Sequence, residues 1–310
     1  MAWYLFVVPQ QEDKVMAEVS RRRLIGNGLA AGAALAAATT GRHAQAAGGT
    51  FEKAKASKSI TVGIANEKPY GYVDTDGKLT GAAIEVMRAV LVPYGITELK
   101  GTIADFDAMI PGVNARRFDV IGAAMYIRPK RCQAIAFSNP FDRSGGAFAS
   151  LKGNPKNLHS LKDVAANKDV KIGTQTGSAQ VEELKQAGIS SDQTVLFIKD
   201  NEALAGLMAG RVDVIYFPDL ELTSLLETNG SPAVERVGEF QQIIKPDGTP
   251  AYNYQALGFR KEDTDLIDAI NTQLVSMLAS GKLLEVLKPF GFSTNELPPP
   301  DMTAMKICAG

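Results

Sequence analysis

Two helix–strand units recur in the same order along this chain, and that repetition restricts it to folds built from two like halves. Asn114-Ala-Arg-Arg-Phe-Asp-Val-Ile121 is echoed by Ala209-Gly-Arg-Val-Asp-Val-Ile215, with Asp119 matching Asp213. Just upstream, Phe106-Asp-Ala-Met-Ile110 is echoed by Asn201-Glu-Ala-Leu-Ala205. In each copy the pattern predicts a short amphipathic helix that ends at a basic turn, then a β-branched strand. Further upstream, Ile60-Thr-Val-Gly-Ile64 and Val170-Lys-Ile-Gly-Thr174 predict strands that run into a polar loop and a helix. Each half therefore reads strand–helix–strand, and the fold class is α/β with a mostly parallel sheet in each of two lobes. One such unit arises easily by chance, whereas two in matched order point to a true repeat.

Other segments complete the outline. Ile84, Met87, Val90 and Leu91 form one apolar stripe and predict a helix over Gly81–Tyr94. Leu266, Ile267, Ile270, Leu274 and Leu278 predict another that stops before Gly281. Gly153–Asn157 reads as an exposed loop, and Pro298-Pro-Pro300 marks a tail that leaves the packed core.

A net charge of −1 gives no support for nucleic-acid or acidic-membrane binding. The first 46 residues read as an export signal rather than as fold. Ser20-Arg-Arg-Arg-Leu-Ile-Gly26 precedes a run of small and apolar residues that ends near Ala44-Gln45-Ala46, which is a charged region, an apolar region and a cleavage site. The run is too short and too rich in Ala and Gly for a membrane span. Its paired arginines suit twin-arginine export to the periplasm, with an ordinary secretory signal as the alternative. Met16 is the expected start, because it gives this signal a conventional length. Beyond residue 46 the only histidine is His159, so a histidine triad or a multi-histidine metal site lacks material, and no metal or cofactor is expected. An oxidising compartment allows Cys132 and Cys308 to pair, but spacing alone leaves pairing and two free thiols equally open.

At the end of the first repeat, an apolar strand from Phe118 runs into Tyr126 and Arg131. A fixed cation beside an aromatic at a strand end suits recognition of a small anionic or zwitterionic solute, and a surface Arg next to a core Tyr is the plainer alternative. Four stretches together carry a family resemblance: Glu67-Lys-Pro-Tyr-Gly-Tyr-Val-Asp-Thr-Asp-Gly-Lys-Leu-Thr-Gly81, Arg117-Phe-Asp-Val-Ile121, Ile127-Arg-Pro-Lys-Arg131 through Phe137-Ser-Asn-Pro-Phe141, and Gly210-Arg-Val-Asp213. They resemble the family-3 solute-binding proteins of ABC importers, the polar amino-acid type. Within that family, Asn66–Tyr72 and Met125–Cys132 are most similar to the ectoine/hydroxyectoine-binding branch.

The resemblance implies a type II periplasmic binding protein: a monomeric, non-catalytic receptor that closes on a small zwitterionic solute and delivers it to an inner-membrane permease. It implies a discontinuous first lobe of residues 47–140 and 257–310, a second lobe of 147–251, and hinge strands at 141–146 and 252–256. Arg131 matches the family's carboxylate-binding arginine, with a salt bridge inside its own lobe as the alternative. Glu67 is expected to face a cationic nitrogen of the solute, or else to be a solvated loop residue. Tyr70, Phe106 and Tyr126 are expected to converge on the cleft as aromatic walls, with Tyr72 a weaker candidate and Phe106 open to a core role. Thr176, Gly177 and Ser178 precede a helix at Gln180–Gln186, where they suit either an anion clamp or simple N-capping. Two departures from the family stand out. Arg128 replaces the usual Thr, at the cleft mouth or merely at the surface. The position expected to hold an ammonium-binding Asp falls on Pro218, one residue before Asp219. An ectoine-type solute therefore leads, a polar or cationic amino acid is the alternative, and cyclohexadienyl dehydratase-like catalysis is a minor one.

Overall fold

The computed structural model describes residues 49–245 and 248–309, all within one compact unit, Gln45–Gly310. The expected signal, with Met16 and the cleavage point at Ala46, lies outside the described residues. In chain order the first lobe lays down β1 (Ser59–Ile64), a ribbon of β2 (Tyr72–Val73) and β3 (Leu79–Thr80), then β4 (Glu98–Ile103), β5 (Val120–Tyr126), β6 (Ala136–Phe137) and β7 (Asp142–Ser144). The chain continues through a second sheet made of β8 (Gly146–Leu151), β9 (Ile172–Gln175), β10 (Thr194–Phe197), β11 (Val214–Pro218) and β12 (Val234–Arg236). It then returns to the first sheet as β13 (Asn253–Phe259).

The two sheets share one plan. The first is ordered β4-β1-β5-β13-β6, with β7 also on β13, and the second is ordered β10-β9-β11-β8-β12. In each, three parallel strands are followed by one antiparallel strand that came from the other half of the chain.

Local chemistry explains the repeat. Asp119, just before β5, accepts from the Thr61 backbone N–H (3.2 Å), and its own N–H donates to the Thr61 carbonyl (2.9 Å). Asp213, just before β11, does the same with Lys171: 2.8 Å in each direction. One carboxylate thus pins the register at which each third strand joins the first. A ring sits under each pinned pair. A side chain at Gly63 or Gly112 would strike Phe118, and one at Gly173 or Gly206 would strike Phe197. These glycines let helix and strand close down on an aromatic plug in both lobes.

The helix Ala82–Leu91 buries Ile84, Val86, Met87, Val90 and Leu91 against Leu266, Ile267, Ile270 and Leu274 of the helix Thr264–Ser280. It ends three residues before the predicted Tyr94, where Pro93 removes an N–H donor and the last turn tightens to a 3-10 helix capped by Gly95. The proline run does not release the tail. Pro298 is buried, and the chain returns as a short helix, Ala304–Ala309, whose Ala304 joins the first-lobe core. Cys308 on that helix is disulfide-bonded to Cys132.

Two adjacent strands connect the lobes. β7 pairs antiparallel with β13 through Ser144↔Asn253, Arg143↔Tyr254 and Asp142↔Gln255. Just beyond, the Gln242 amide holds both backbone groups of Gly146, at 3.0 and 2.8 Å.

The Cys132–Cys308 bridge spans 176 residues of sequence and closes a long loop in the unfolded chain. Chain entropy then assigns it about 2–4 kcal/mol. A Cys132→Ser/Cys308→Ser protein is expected to melt roughly 5–10 °C lower in a calorimetric scan, with proteolysis beginning in the tail.

Candidate functional site

A cavity lies between the lobes. Its first-lobe wall consists of Glu67, Tyr70, Phe106, Ala123, Ala124, Tyr126 and Arg131. The second lobe contributes Gln175, Ser178, Ala179, Gln180, Phe217, Pro218 and Glu221, and Gln255 of β13 lies between them.

The backbone of β5 is shaped for this position. Ala256 pairs with Met125 but Gly258 pairs with Ile121, so β5 carries a bulge over residues 122–124. Ala124 takes a φ of 47° there, an unusual conformation for a residue with a side chain. The bulge presents two small side chains to the cavity and swings Tyr126, the last residue of β5, to its edge.

Arg131 joins the two lobes. Its Nη1 donates to the Tyr126 carbonyl (2.9 Å), its Nη2 donates to the Gly177 carbonyl across the cleft (2.9 Å), and the guanidinium lies 5.6 Å from the Phe106 ring centroid. Burial, and then the neighbouring Arg128, push its pKa down to about 10, so it is still a cation at neutral pH. Gly177 is required at this contact. Its φ is +72°, and a Cβ there would sit 2.7 Å from Cβ of Asp107 on the facing lobe.

Acidic groups stand elsewhere in the same cavity. Glu67 accepts a short hydrogen bond from Nε2 of Gln175, which also donates to the Ile198 carbonyl (3.1 Å). Burial and the nearby Asp200 carboxylate raise the Glu67 pKa to about 8. Glu221 is buried as well, and burial together with Glu67 and Asp200 holds its pKa well above the usual carboxylate range. Behind the cavity, the Gln255 amide satisfies all its neighbours when its oxygen accepts from the Tyr70 hydroxyl (2.8 Å) and its nitrogen donates to Asp142 (3.2 Å) and the Ala124 carbonyl (3.3 Å). Burial raises the Asp142 pKa strongly.

Buried polar atoms in folded proteins nearly always have partners. Among the described residues, Tyr126 Oη, Ser178 Oγ, Gln180 Nε2 and Glu221 Oε1 are buried without a hydrogen bond of normal geometry, and all four belong to residues lining this cavity. Among the described residues no group of three or more His, Cys, Asp or Glu side chains is arranged to hold a metal ion.

Six residues singled out in the sequence meet here: Glu67, Tyr70, Phe106, Tyr126, Arg131 and Ser178. Others do not. Thr176 is absent from the cavity wall, and its N–H donates to the Phe197 carbonyl (2.9 Å), while the Ser178 N–H turns to the Gln175 carbonyl (3.3 Å). The expected anion clamp of backbone N–H groups is therefore not formed by these two, and Gly177 offers Arg131 its carbonyl instead. N-capping is not formed either, since Ala179 occupies that position without a side-chain bond. Tyr72 lies outside the cavity, with Lys68 Nζ 5.4 Å from its ring.

Asp219 also lies outside. It is paired with Arg236 Nη1 at 2.8 Å, and Glu221 takes the cavity position. A helix begins at Asp219 straight after Pro218, and two helical residues diverge by about 200°. Arg128 is an interlobe contact rather than a surface charge. It pairs with the buried Glu183 of the second lobe, which also accepts from the Tyr216 hydroxyl (2.7 Å) and from Asn253 Nδ2 (2.8 Å). Phe217, Gln175, Gln180, Gln255 and Glu221 carried no sequence signal that separated them from core or surface residues.

Residues 60–293 match the model of the bacterial extracellular solute-binding proteins, family 3. The chain belongs to that family. It is 32% identical over 270 residues to a probable amino-acid ABC transporter periplasmic-binding protein, y4tE, of Sinorhizobium fredii, covering 86% of this chain and 88% of the relative. It is 27% identical to an L-arginine-binding protein of Pseudomonas aeruginosa, covering 74% and 87% of the two chains. Among solved structures, EhuB in complex with hydroxyectoine superposes with a TM-score of 0.73 at 32% identity, covering 83% of this chain and 97% of that one. The two-lobed architecture is that of a type II periplasmic binding protein. The relatives are named as transporter binding proteins, not as enzymes, and this family is one of solute-binding proteins.

The raised pKa of Glu67 makes stability depend on pH. Between about 4.5 and 8 the folded carboxyl keeps its proton while the unfolded one has lost it. The contribution is fully present below 4.5 and is lost as pH rises to about 8. Glu67→Gln is therefore expected to gain melting temperature relative to the parent on going from pH 5 to pH 8.5 without solute. An offset that is the same at both pH values, read by differential scanning fluorimetry, would contradict this.

Proposed function

We propose that this protein is the periplasmic receptor of an ABC importer and that it captures ectoine or 5-hydroxyectoine between its lobes. The charge layout of the Arg131 cavity between the lobes carries this reading. It offers the cation Arg131, the acids Glu67 and Glu221, and the aromatic side chains of Tyr70, Phe106, Tyr126 and Phe217. The Arg131 fork binds the solute carboxylate with the N–H groups not already given to Tyr126 and Gly177. The acids face a delocalised amidinium, and the rings pack against its apolar edges and attract its diffuse charge. The likeness to a hydroxyectoine complex supports the same reading.

Binding through both lobes favours the closed arrangement, since a ligand shifts an equilibrium only by its differential affinity for the two states. The receptor acts as a monomer, leaves the cytoplasm through the twin-arginine signal, and presents the loaded form to an inner-membrane permease.

A second reading is a polar or cationic amino acid. Two acids against one arginine suit a solute carrying an extra positive charge, and one relative is named for L-arginine.

Isothermal titration separates the two readings. Ectoine is expected to bind at micromolar Kd or tighter, about −8 kcal/mol or better. Arg131→Ala is expected to weaken it by a factor of roughly 100, because the solute carboxylate is left without its partner. No heat with either ectoine, together with saturable binding of L-arginine, would reject the ectoine assignment.

A further inference from the structure

Lobe 2 sets a second carboxyl in the cavity. Glu221 stands in the first turn of the helix Asp219–Asn229, is only 6% exposed, and has an Oε1 without a partner among the described residues. Glu67 faces the same cavity from lobe 1. The charged and titratable groups acting on this pair come from several elements. Asp200 bears on both acids, Lys199 and Asp105 bear on Glu67, the Tyr70 phenol senses Glu221, and Arg131 lines the cavity with them. Neither Glu67 nor Glu221 has a salt-bridge partner among the described residues: Arg131 gives one N–H to each of two carbonyls, Arg236 pairs with Asp219, and Arg128 with Glu183.

Two carboxylates in one desolvated space oppose each other when both are ionised. Because one rides on each lobe, bringing the lobes together is disfavoured unless a proton or a cation lies with them. A proton neutralises one acid, whereas a cation with N–H donors on two sides satisfies both.

We propose that Glu221 is a specificity-determining residue which, with Glu67, requires the solute to carry a positive charge that donates to both lobes, so that this charge is the counter-ion on which the lobes close. The proposal rests on reading the cavity as the solute site. A ring with a carboxylate but no cation reaches Arg131 and leaves the acid pair uncompensated. A cyclic amidinium spreads its charge over two N–H groups and meets one acid on each lobe. Binding of such a cation favours the ionised acids, so solute uptake at neutral pH expels a proton from the cavity.

The test is isothermal titration at pH 7 of the parent protein and Glu221→Gln with ectoine, L-arginine and pyroglutamate, in two buffers of different ionisation enthalpy. In the parent, binding of the cationic solute is expected to release a proton and to exceed pyroglutamate binding by roughly 100-fold or more. Glu221→Gln is expected to bind the cationic solute about tenfold more weakly or worse and to lose most of its preference over pyroglutamate. Binding within about twofold of the parent, with the preference intact, would overturn the role of Glu221. Proton release in the parent needs no variant, and its absence would overturn the proposal even if Glu221→Gln failed to fold. If L-arginine binds and ectoine does not, the ectoine reading falls, and the same comparison made with L-arginine decides Glu221.

Discussion

The site depends on the guanidinium of Arg131, which is bonded to a carbonyl on each lobe at once. Taking that cation out of water is unfavourable unless its N–H groups find acceptors, and the acceptors come from both sides of the cleft. Around this requirement the rest is arranged. Gly177 is a glycine so that its carbonyl approaches closely, β5 ends beyond its bulge at Tyr126, whose carbonyl accepts from the same guanidinium, and Phe106 offers its ring to the cation. The N–H groups left over give the cavity its anion-seeking end.

The acidic end follows a different logic. Glu67 and Glu221 are buried with no salt-bridge partner among the described residues, and their proton affinities rise because burial favours the neutral form. A desolvated space that holds one such carboxyl from each lobe is suited to a positively charged solute. Arg128 and Glu183 add an interlobe contact outside the cavity wall, with Asn253 donating to the same carboxylate oxygen as Arg128 and the Tyr216 hydroxyl to the other. The contact ties lobe 1, lobe 2 and the returning strand together at a point where the chain carries Arg in place of the family's usual Thr.

Much of this was legible in the sequence, because the repeat is a physical device and not only a likeness. Asp119 and Asp213 each pin a strand register, so their spacing to the next strand is held in both copies. Tyr126 and Arg131 are legible at the end of a predicted strand, and Glu67 and Tyr70 through the family resemblance that residues 67–81 carry. Glu221 was missed because counting along β11 stops working at Pro218, where a helix takes over and side-chain direction changes from alternation to rotation. Asp219 was one residue from the expected position and points to Arg236; Glu221 was three away and faces the cavity. Gln255 carries no chemical mark of its own, since its role comes from standing on the strand that returns between the lobes. The tail misled because three prolines usually announce departure, whereas here Pro298 is buried and Cys308 anchors the last helix.

In the proposed complex one solute spans a basic end at Arg131 and an acidic end at Glu67 and Glu221 between aromatic walls. A crystal structure of the protein soaked or grown with ectoine tests it most directly. The expected structure has the carboxylate on Arg131, the ring between Tyr126 and the facing aromatics, and an amidinium nitrogen within hydrogen-bond distance of each acid. A solute seated with its carboxylate away from Arg131, or outside this cavity altogether, would contradict it.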